Sequence, residues 1–139
     1  MTQPIDPGTR HAIEHLLAEH AWLIDHGQAG GVAALYTEDA RVLGIGPDKV
    51  GQAVIRAWAA EREAMAERRS RHVHSNLRLA AVSPGECRGT VVLTLYRHDG
   101  PGQADPAPFM VAEYDDAYRK GPDNAWRFAE RRLSVLFGG

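Results

Sequence analysis

The stretch that decides the fold of this chain is RHVHSNLRL, residues 71–79. From His72 onward polar and apolar residues alternate, and side chains two residues apart point to the same face of a β-strand. The alternation predicts one polar and one apolar face (His72, His74, Asn76 and Arg78 against Val73, Leu77 and Leu79). The simplest interpretation leaves the polar face in solvent. The alternative is a β-bulge near Ser75, which turns both His72 and the leucines inward, as bulges beside active sites often do.

Three further strands are predicted after this segment, at residues 88–97, 109–118 and 126–137, because each is rich in β-branched or aromatic residues. The stretches Ser83-Pro84-Gly85 and 120–124 are typical of hairpin turns, whereas the connection at 98–108 is longer and contains glycines and prolines. The second half of the chain is therefore predicted to be an antiparallel meander.

The N-terminal half is predicted to be helical. Asp6 followed by Pro7 is typical of a helix start, and His26-Gly27 is typical of a helix end. Between them runs one apolar stripe at helical spacing (Ile13, Leu16, Leu17, His20 and Ile24). A short helix at 29–36, a strand at 40–43 and a helix from 52 to about 67 follow. Acids and arginines alternate over residues 61–71, which predicts a solvent-exposed helix face.

Helices followed by a meander predict an α+β fold, with the N-terminal helices packed on one face of a curved, mostly antiparallel sheet. This arrangement leaves a cavity between helices and sheet that suits a small molecule. The length of 139 residues fits one domain, residues 1–139.

Composition limits the environment and the partners. A net charge of −2 gives no reason to expect nucleic acid or an anionic membrane surface as a partner. No segment approaches the ~20 apolar residues of a membrane span, and the N-terminus lacks the apolar stretch of a secretory signal. The chain has 1 cysteine, Cys87, which excludes an intrachain disulfide. We therefore expect a cytoplasmic protein.

Asp25 and His20 are candidate site residues because of their places on the first helix. Asp25 lies about 120° from Ile13 around the helix axis, at the border of the apolar stripe. A carboxylate facing a sheet there needs a hydrogen-bonded partner; otherwise it caps a turn or pairs with a surface arginine. His20 lies within the stripe, where it is either a satisfied core histidine or a pocket residue.

Two histidine patterns are similar to metal sites. Residues 11–15 match H-x-x-E-H, a zinc-protease pattern, but both histidines lie opposite the apolar stripe. His72 and His74 are suitably spaced on one strand, yet no third ligand is evident. We therefore expect no metal site.

Several segments resemble the SnoaL-like proteins of the NTF2-like superfamily. Residues 21–27 (AWLIDHG) and 34–40 (ALYTEDA) are similar to the opening of these proteins. Residues 71–79 resemble their R-H-x-x-S/T-N strand, and residues 125–132 (AWRFAERR) resemble their closing W-R-I-x-x-R strand. The resemblance extends from about residue 9 to residue 137 and implies a cone-shaped α+β barrel with a deep pocket.

The resemblance also implies a function. The superfamily includes dehydratases, a dehydrochlorinase, isomerases and polyketide cyclases, and in some of these a helix-one aspartate and a histidine of the R-H strand form the catalytic pair. Asp25 and His72 match those positions. The implied activity is that of a small-molecule lyase or isomerase, in which an Asp-His dyad abstracts a proton in an apolar pocket without a cofactor. We expect a small apolar or cyclic substrate and four further contacts to it (His20, Trp58, His74 and Asn76).

The sequence also departs from this group. Ile24 and Gly44 stand where the assisting tyrosines of the dehydratase are expected, and His20 replaces a common helix-one tyrosine. The small subunits of ring-hydroxylating dioxygenases share the R-H strand and perform no chemistry. A non-catalytic ligand-binding or subunit role is therefore the alternative.

The strand predicted at 88–97 is apolar on both faces (Val91, Leu93 and Leu95, or alternately Val92 and Tyr96). One face can line the pocket, and a second apolar face left in water is unfavourable. We therefore expect a homodimer formed by pairing of sheet faces.

Overall fold

The computed structural model describes residues 4–139. It contains the helices α1 (Pro7–Asp25), a 3₁₀ helix (Ala29–Leu35) and α2 (Gln52–Ala64). Its strands are β1 (Tyr36–Leu43), β2 (Lys49–Val50), β3 (Arg68–Ser83), β4 (Glu86–Asp99), β5 (Met110–Lys120) and β6 (Trp126–Gly138). The described helices include none that is long and apolar enough to cross a membrane.

The strands of the described chain form one sheet in the order β2-β1-β6-β5-β4-β3. All neighbouring strands are antiparallel except β1 and β6, which are parallel. The three helices pack on one face of this sheet, its inner face. The α+β prediction with a mostly antiparallel sheet is confirmed, and the sheet is open, with β2 and β3 as its edges.

Helix α1 ends where the sequence predicts. The Asp6 side chain accepts a hydrogen bond of 3.1 Å from the Thr9 N–H, and Pro7 occupies the first turn. At the other end the His26 N–H bonds to the Trp22 carbonyl, and Gly27 has a φ of 77°, a left-handed conformation that suits glycine. These two caps place Asp25 at the last helical position.

The β-bulge near Ser75, the alternative to a polar face left in solvent, is present. Ser75 pairs with Val92 and Arg78 with Thr90, so β3 contains one extra residue there. Asn76 in the bulge has a φ of 57°, which asparagine tolerates better than most residues.

The bulge changes which side chains reach the interior. His72 and His74 precede it and are half-buried, whereas Leu77 and Leu79 follow it and pack against the core. The interpretation of a polar face left in solvent is therefore wrong for the two histidines, and Asn76 is exposed.

The interpretation of residues 61–71 as one exposed helix face is also wrong. Helix α2 ends at Ala64, and β3 begins at Arg68 rather than at His72. Pairing with β4 extends the strand, because Arg68 lies opposite Asp99 and forms an ion pair of 2.8 Å with it. Ser70, within this extension, is buried.

A buried ion pair lies at the centre of the inner face. Arg131 on β6 and Asp116 on β5 are paired in register and joined by hydrogen bonds of 2.8 and 3.0 Å. The Tyr118 hydroxyl donates to the same carboxylate at 2.8 Å. The guanidinium lies 3.6 Å from the Tyr114 ring centroid and 4.3 Å from that of Phe128. The two charges are thus satisfied mainly by each other and by aromatic rings.

We predict that Asp116→Ala lowers the free energy of unfolding by about 3–5 kcal/mol, because it leaves the buried Arg131 charge without its partner. Urea denaturation followed by circular dichroism measures this. Asp115→Ala, one residue away on β5, removes an exposed pair with Arg88 at 3.6 Å and should change stability little. Equal effects of the two substitutions would contradict the assigned importance of the buried pair.

Candidate active site

A cavity of about 620 Å³ lies between the helices and the inner face of the sheet. Its size is typical of small-molecule sites, which span roughly 300–1,000 Å³. Most of its wall is apolar (Ile24, Val42, Leu93, Leu95, Phe109 and Leu133 among others). His72 is one of the polar side chains in this wall. The cavity therefore offers an apolar surface with an imidazole in it.

Asp25 and His72 are directly hydrogen-bonded. Asp25 Oδ1 lies 2.6 Å from His72 Nδ1, and the two side chains are only 4% and 14% exposed. The other carboxylate oxygen, Oδ2, accepts the His72 backbone N–H at 2.8 Å. Asp25 thus accepts hydrogen bonds from both the backbone and the ring of His72.

A second chain of hydrogen bonds reaches Asp25 from α2. The Ser70 hydroxyl donates to Asp25 Oδ1 at 2.8 Å, and Arg62 Nη2 donates to the Ser70 hydroxyl oxygen at 2.9 Å. Ser70 and His72 lie two residues apart and face the same side of β3. Side-chain alternation along β3 therefore brings both the Ser70 hydroxyl and the His72 ring to the Asp25 carboxylate, which also accepts the His72 backbone N–H.

These hydrogen bonds keep the Asp25 carboxylate ionised. Burial raises the pKa of Asp25, but the hydrogen bonds from His72 and Ser70 and the charge of His72 together outweigh it and lower the pKa below its usual value. An ionised carboxylate only accepts hydrogen bonds, so the proton in the short bond is on His72 Nδ1. In the neutral ring, Nε2 then carries the free lone pair. Within residues 4–139, Nε2 has no hydrogen-bond partner.

Two of the four predicted substrate contacts line the cavity, namely His20 and Trp58. His20 Nε2 shares a hydrogen bond of 2.9 Å with the Tyr36 hydroxyl. Burial, and next the charge of Arg131, keep the pKa of His20 well below its usual value. His20 is therefore a neutral group whose Nε2 is already bonded.

The other two, His74 and Asn76, do not line this cavity. They border a second groove, between α1 and β3, which is also lined by Asp25 and His72. Burial, and then the charge of Arg131, lower the pKa of His74 to about 3. The two contacts lie elsewhere because the bulge redirects Asn76 and because α1 covers His74.

Ser70, Arg62 and Arg131 belong to the surroundings of the site, although no sequence pattern predicts them there. The charge pattern of residues 61–71 assigned the first two to a solvated surface, whereas the early start of β3 brings them to the cavity. Arg131 belongs to the closing strand AWRFAERR, but nothing in that segment distinguishes a buried arginine from its exposed neighbour Arg132.

Gly44 explains one departure from the tyrosines of the dehydratase. It lines the cavity with a φ of 86°, and a Cβ there would collide with the carbonyl of Leu133. A side chain at this position would need the backbone to move. Glycine at this position therefore allows the backbone of Leu133 to approach closely.

Metal binding has no support in residues 4–139, where no group of three or more His, Cys, Asp or Glu side chains is arranged to hold an ion. The H-x-x-E-H segment contributes His11 and His15 to the exposed side of α1.

A family model described as the SnoaL-like domain matches residues 8–132. The chain belongs to the SnoaL-like family. SnoaL-like and related NTF2-like proteins include isomerases, dehydratases and cyclases, and the family binds small molecules. No curated protein matches this sequence.

Solved structures share the fold at low sequence identity. A candidate scytalone dehydratase from Novosphingobium aromaticivorans is 22% identical, with a TM-score of 0.81 over 93% of this chain and 85% of the other. LinA is 23% identical, with a TM-score of 0.77 over 94% and 87% of the two chains. An NTF2-like protein with a cystatin-like fold, also from N. aromaticivorans, is 21% identical, with a TM-score of 0.77 over 94% and 83%. At these identities the likeness establishes the fold alone.

We predict that the wild type loses free energy of unfolding relative to the Asp25→Asn variant as the pH falls in the acid range. The pKa of Asp25 is lowered by folding, so its ionisation stabilises the folded state above the usual aspartate value of about 3.9, and this contribution is lost as the pH falls through the lower folded pKa. Urea denaturation between pH 3 and pH 6 (a range chosen around that value) should show the wild type losing stability relative to the variant. A relative gain at low pH would mean that burial dominates.

Proposed function

We propose that this protein is a small-molecule lyase or isomerase in which His72 is the general base and Asp25 its partner. The proposal rests on one observation, the bond of 2.6 Å between Asp25 Oδ1 and His72 Nδ1 at the wall of an apolar cavity. It agrees with the activities found among SnoaL-like and NTF2-like proteins.

The proposed step begins when His72 Nε2 takes a proton from a carbon of the bound substrate. The electron pair of the C–H bond then either forms a double bond as a leaving group departs from the neighbouring carbon, or delocalises into a carbonyl. In the second case the proton returns to another carbon, which completes an isomerisation. The pair thus supplies a base first and an acid afterwards.

Asp25 serves this step by fixing the ring and by stabilising its charge. Holding the proton on Nδ1 directs the lone pair of Nε2 to the cavity, and the carboxylate favours the imidazolium that forms. General-base catalysis contributes about 10²–10⁴-fold, so the apolar wall has to orient the substrate as well.

We also propose a homodimer formed through the outer face of the sheet. Val91, Leu93 and Leu95 are buried on the inner face, so the alternate set with Val92 and Tyr96 faces outward. Cross-strand pairing extends this outer set into a row across four strands (Val73, Thr94, Val111 and Phe137). Val73 is 47% and Phe137 68% exposed in one chain. Covering this row would remove apolar surface from water.

The dyad is tested with Asp25→Asn and His72→Gln. A panel of small cyclic ketones in D₂O, followed by proton NMR, measures proton abstraction as exchange of carbon-bound hydrogen for deuterium. We expect each variant to lose at least about 10³-fold in exchange rate, and the double variant to be little slower, because the two residues act as a unit.

His15→Gln is the matched control, because it removes an exposed imidazole from the same helix as Asp25. It should exchange at the wild-type rate. Full activity of His72→Gln would refute the dyad. A wild type that binds the ketones but exchanges nothing would favour the non-catalytic role.

The dimer is tested by sedimentation equilibrium at micromolar concentration. We expect a mass of twice the 15.2 kDa of the chain. Phe137→Glu places a charge at the β6 end of the row, on its most exposed apolar side chain, and should shift the equilibrium to the monomer. Arg132→Glu, at an exposed position on the charged part of the same strand, should not. A monomeric wild type would refute the proposal.

A further inference from the structure

Three arginines at the solvent end of the cavity are unused by the proposed reaction. Arg62 comes from α2, Arg68 from the start of β3 and Arg97 from β4, and all three line the cavity. The register of β3 and β4 places Arg97 opposite Ser70 and Leu95 opposite His72. Leu95, the cross-strand neighbour of His72, and Arg97 are two residues apart on β4, so their side chains point to the same face of the sheet.

The carboxylates near these three arginines are too few to form an ion pair with each of them. Asp99 forms a bidentate ion pair with Arg68, with hydrogen bonds of 2.8 and 2.9 Å. Glu61 also lines the cavity but forms no ion pair with them, and among residues 4–139 neither Arg62 nor Arg97 has a carboxylate partner. The solvent end of the cavity therefore carries unpaired positive charge.

The arginines also repel one another. Burial, and next the charge of Arg68, lower the pKa of both Arg62 and Arg97. Guanidinium groups nevertheless stay protonated at neutral pH. An anion bound between them would relieve this repulsion.

The two unpaired guanidinium groups are held in place. Arg62 is anchored by its bond to the Ser70 hydroxyl, and the Arg97 guanidinium lies 3.8 Å from the ring centroid of Phe109. Stacking on an aromatic ring suits arginine and leaves the N–H groups at its edge free for an in-plane acceptor. A carboxylate matches such an edge with two parallel hydrogen bonds.

We propose that the ligand of this cavity is a small apolar acid, whose carboxylate binds Arg97 and Arg62 while its apolar body extends toward His72. The inference rests on the proposed function in taking this ligand as the substrate, and it names the class of that substrate. The apolar wall between the two ends includes Leu95 and Phe109. Binding of the carboxylate at the solvent end thus sets how far into the cavity the ligand extends, and so where its reacting carbon lies relative to His72.

The test compares 2-naphthoate with its neutral isostere 2-naphthamide by isothermal titration calorimetry. We expect the wild type to bind the acid at least about tenfold more tightly, as charge-assisted bonds exceed neutral ones by this order. Arg97→Gln should abolish the preference, and Arg97→Lys, which keeps the charge but not the planar fork, should retain part of it. Arg56→Gln is the matched control: the same charge is removed from an exposed site on α2, and the preference should persist.

The outcomes separate this inference from the proposed function. Asp25→Asn should keep the preference for naphthoate, because Asp25 bonds directly to neither Arg97 nor Arg62 and the substitution removes no positive charge. Equal binding of the two ligands by the wild type, no measurable binding of naphthoate, or a preference that survives Arg97→Gln would each overturn the acid site. None of these results would change the deuterium-exchange test of His72.

Discussion

The hydrogen bonds that β3 donates to the Asp25 carboxylate are the interaction on which the site depends. They come from the Ser70 hydroxyl, the His72 N–H and the His72 ring, and they join the last residue of α1 to an edge strand. A buried carboxylate costs several kcal/mol unless such donors satisfy it. Because one group holds both the helix end and the imidazole, the position of α1 and the orientation of the base cannot vary separately.

The charges of the inner face divide the histidines into two kinds. Burial and the charge of Arg131 lower the pKa of His20 and of His74, so both are neutral groups. His72 differs because its Nδ1 is bonded to the Asp25 carboxylate. The charge of Arg131 therefore acts on both of these histidines, beyond its bond to Asp116 that holds β5 to β6.

Membership in the SnoaL-like family accounts for the fold but not for a substrate, because one fold supports many activities. The features that set this chain apart lie around the rest of the cavity. Gly44 allows the backbone of Leu133 to approach closely on one wall, and Arg62 and Arg97 lie at the solvent end without a carboxylate partner. Selectivity depends on such residues, because they contact the parts of a ligand that do not react.

The sequence by itself determined most of the elements and their order, because helix caps, periodicity and turn residues act over short separations, although it did not indicate β2. The resemblance singled out Asp25 and His72. Only the tertiary structure decided that the bulge turns His72 inward, that Asn76 points away, and that residues 61–71 contribute to the cavity. Alternation along a strand is the same whichever face is buried, and a run of acids and arginines does not reveal what packs against it. Asp25 and Ser70 are 45 residues apart, and contacts over such separations arise only when the helix packs on the sheet.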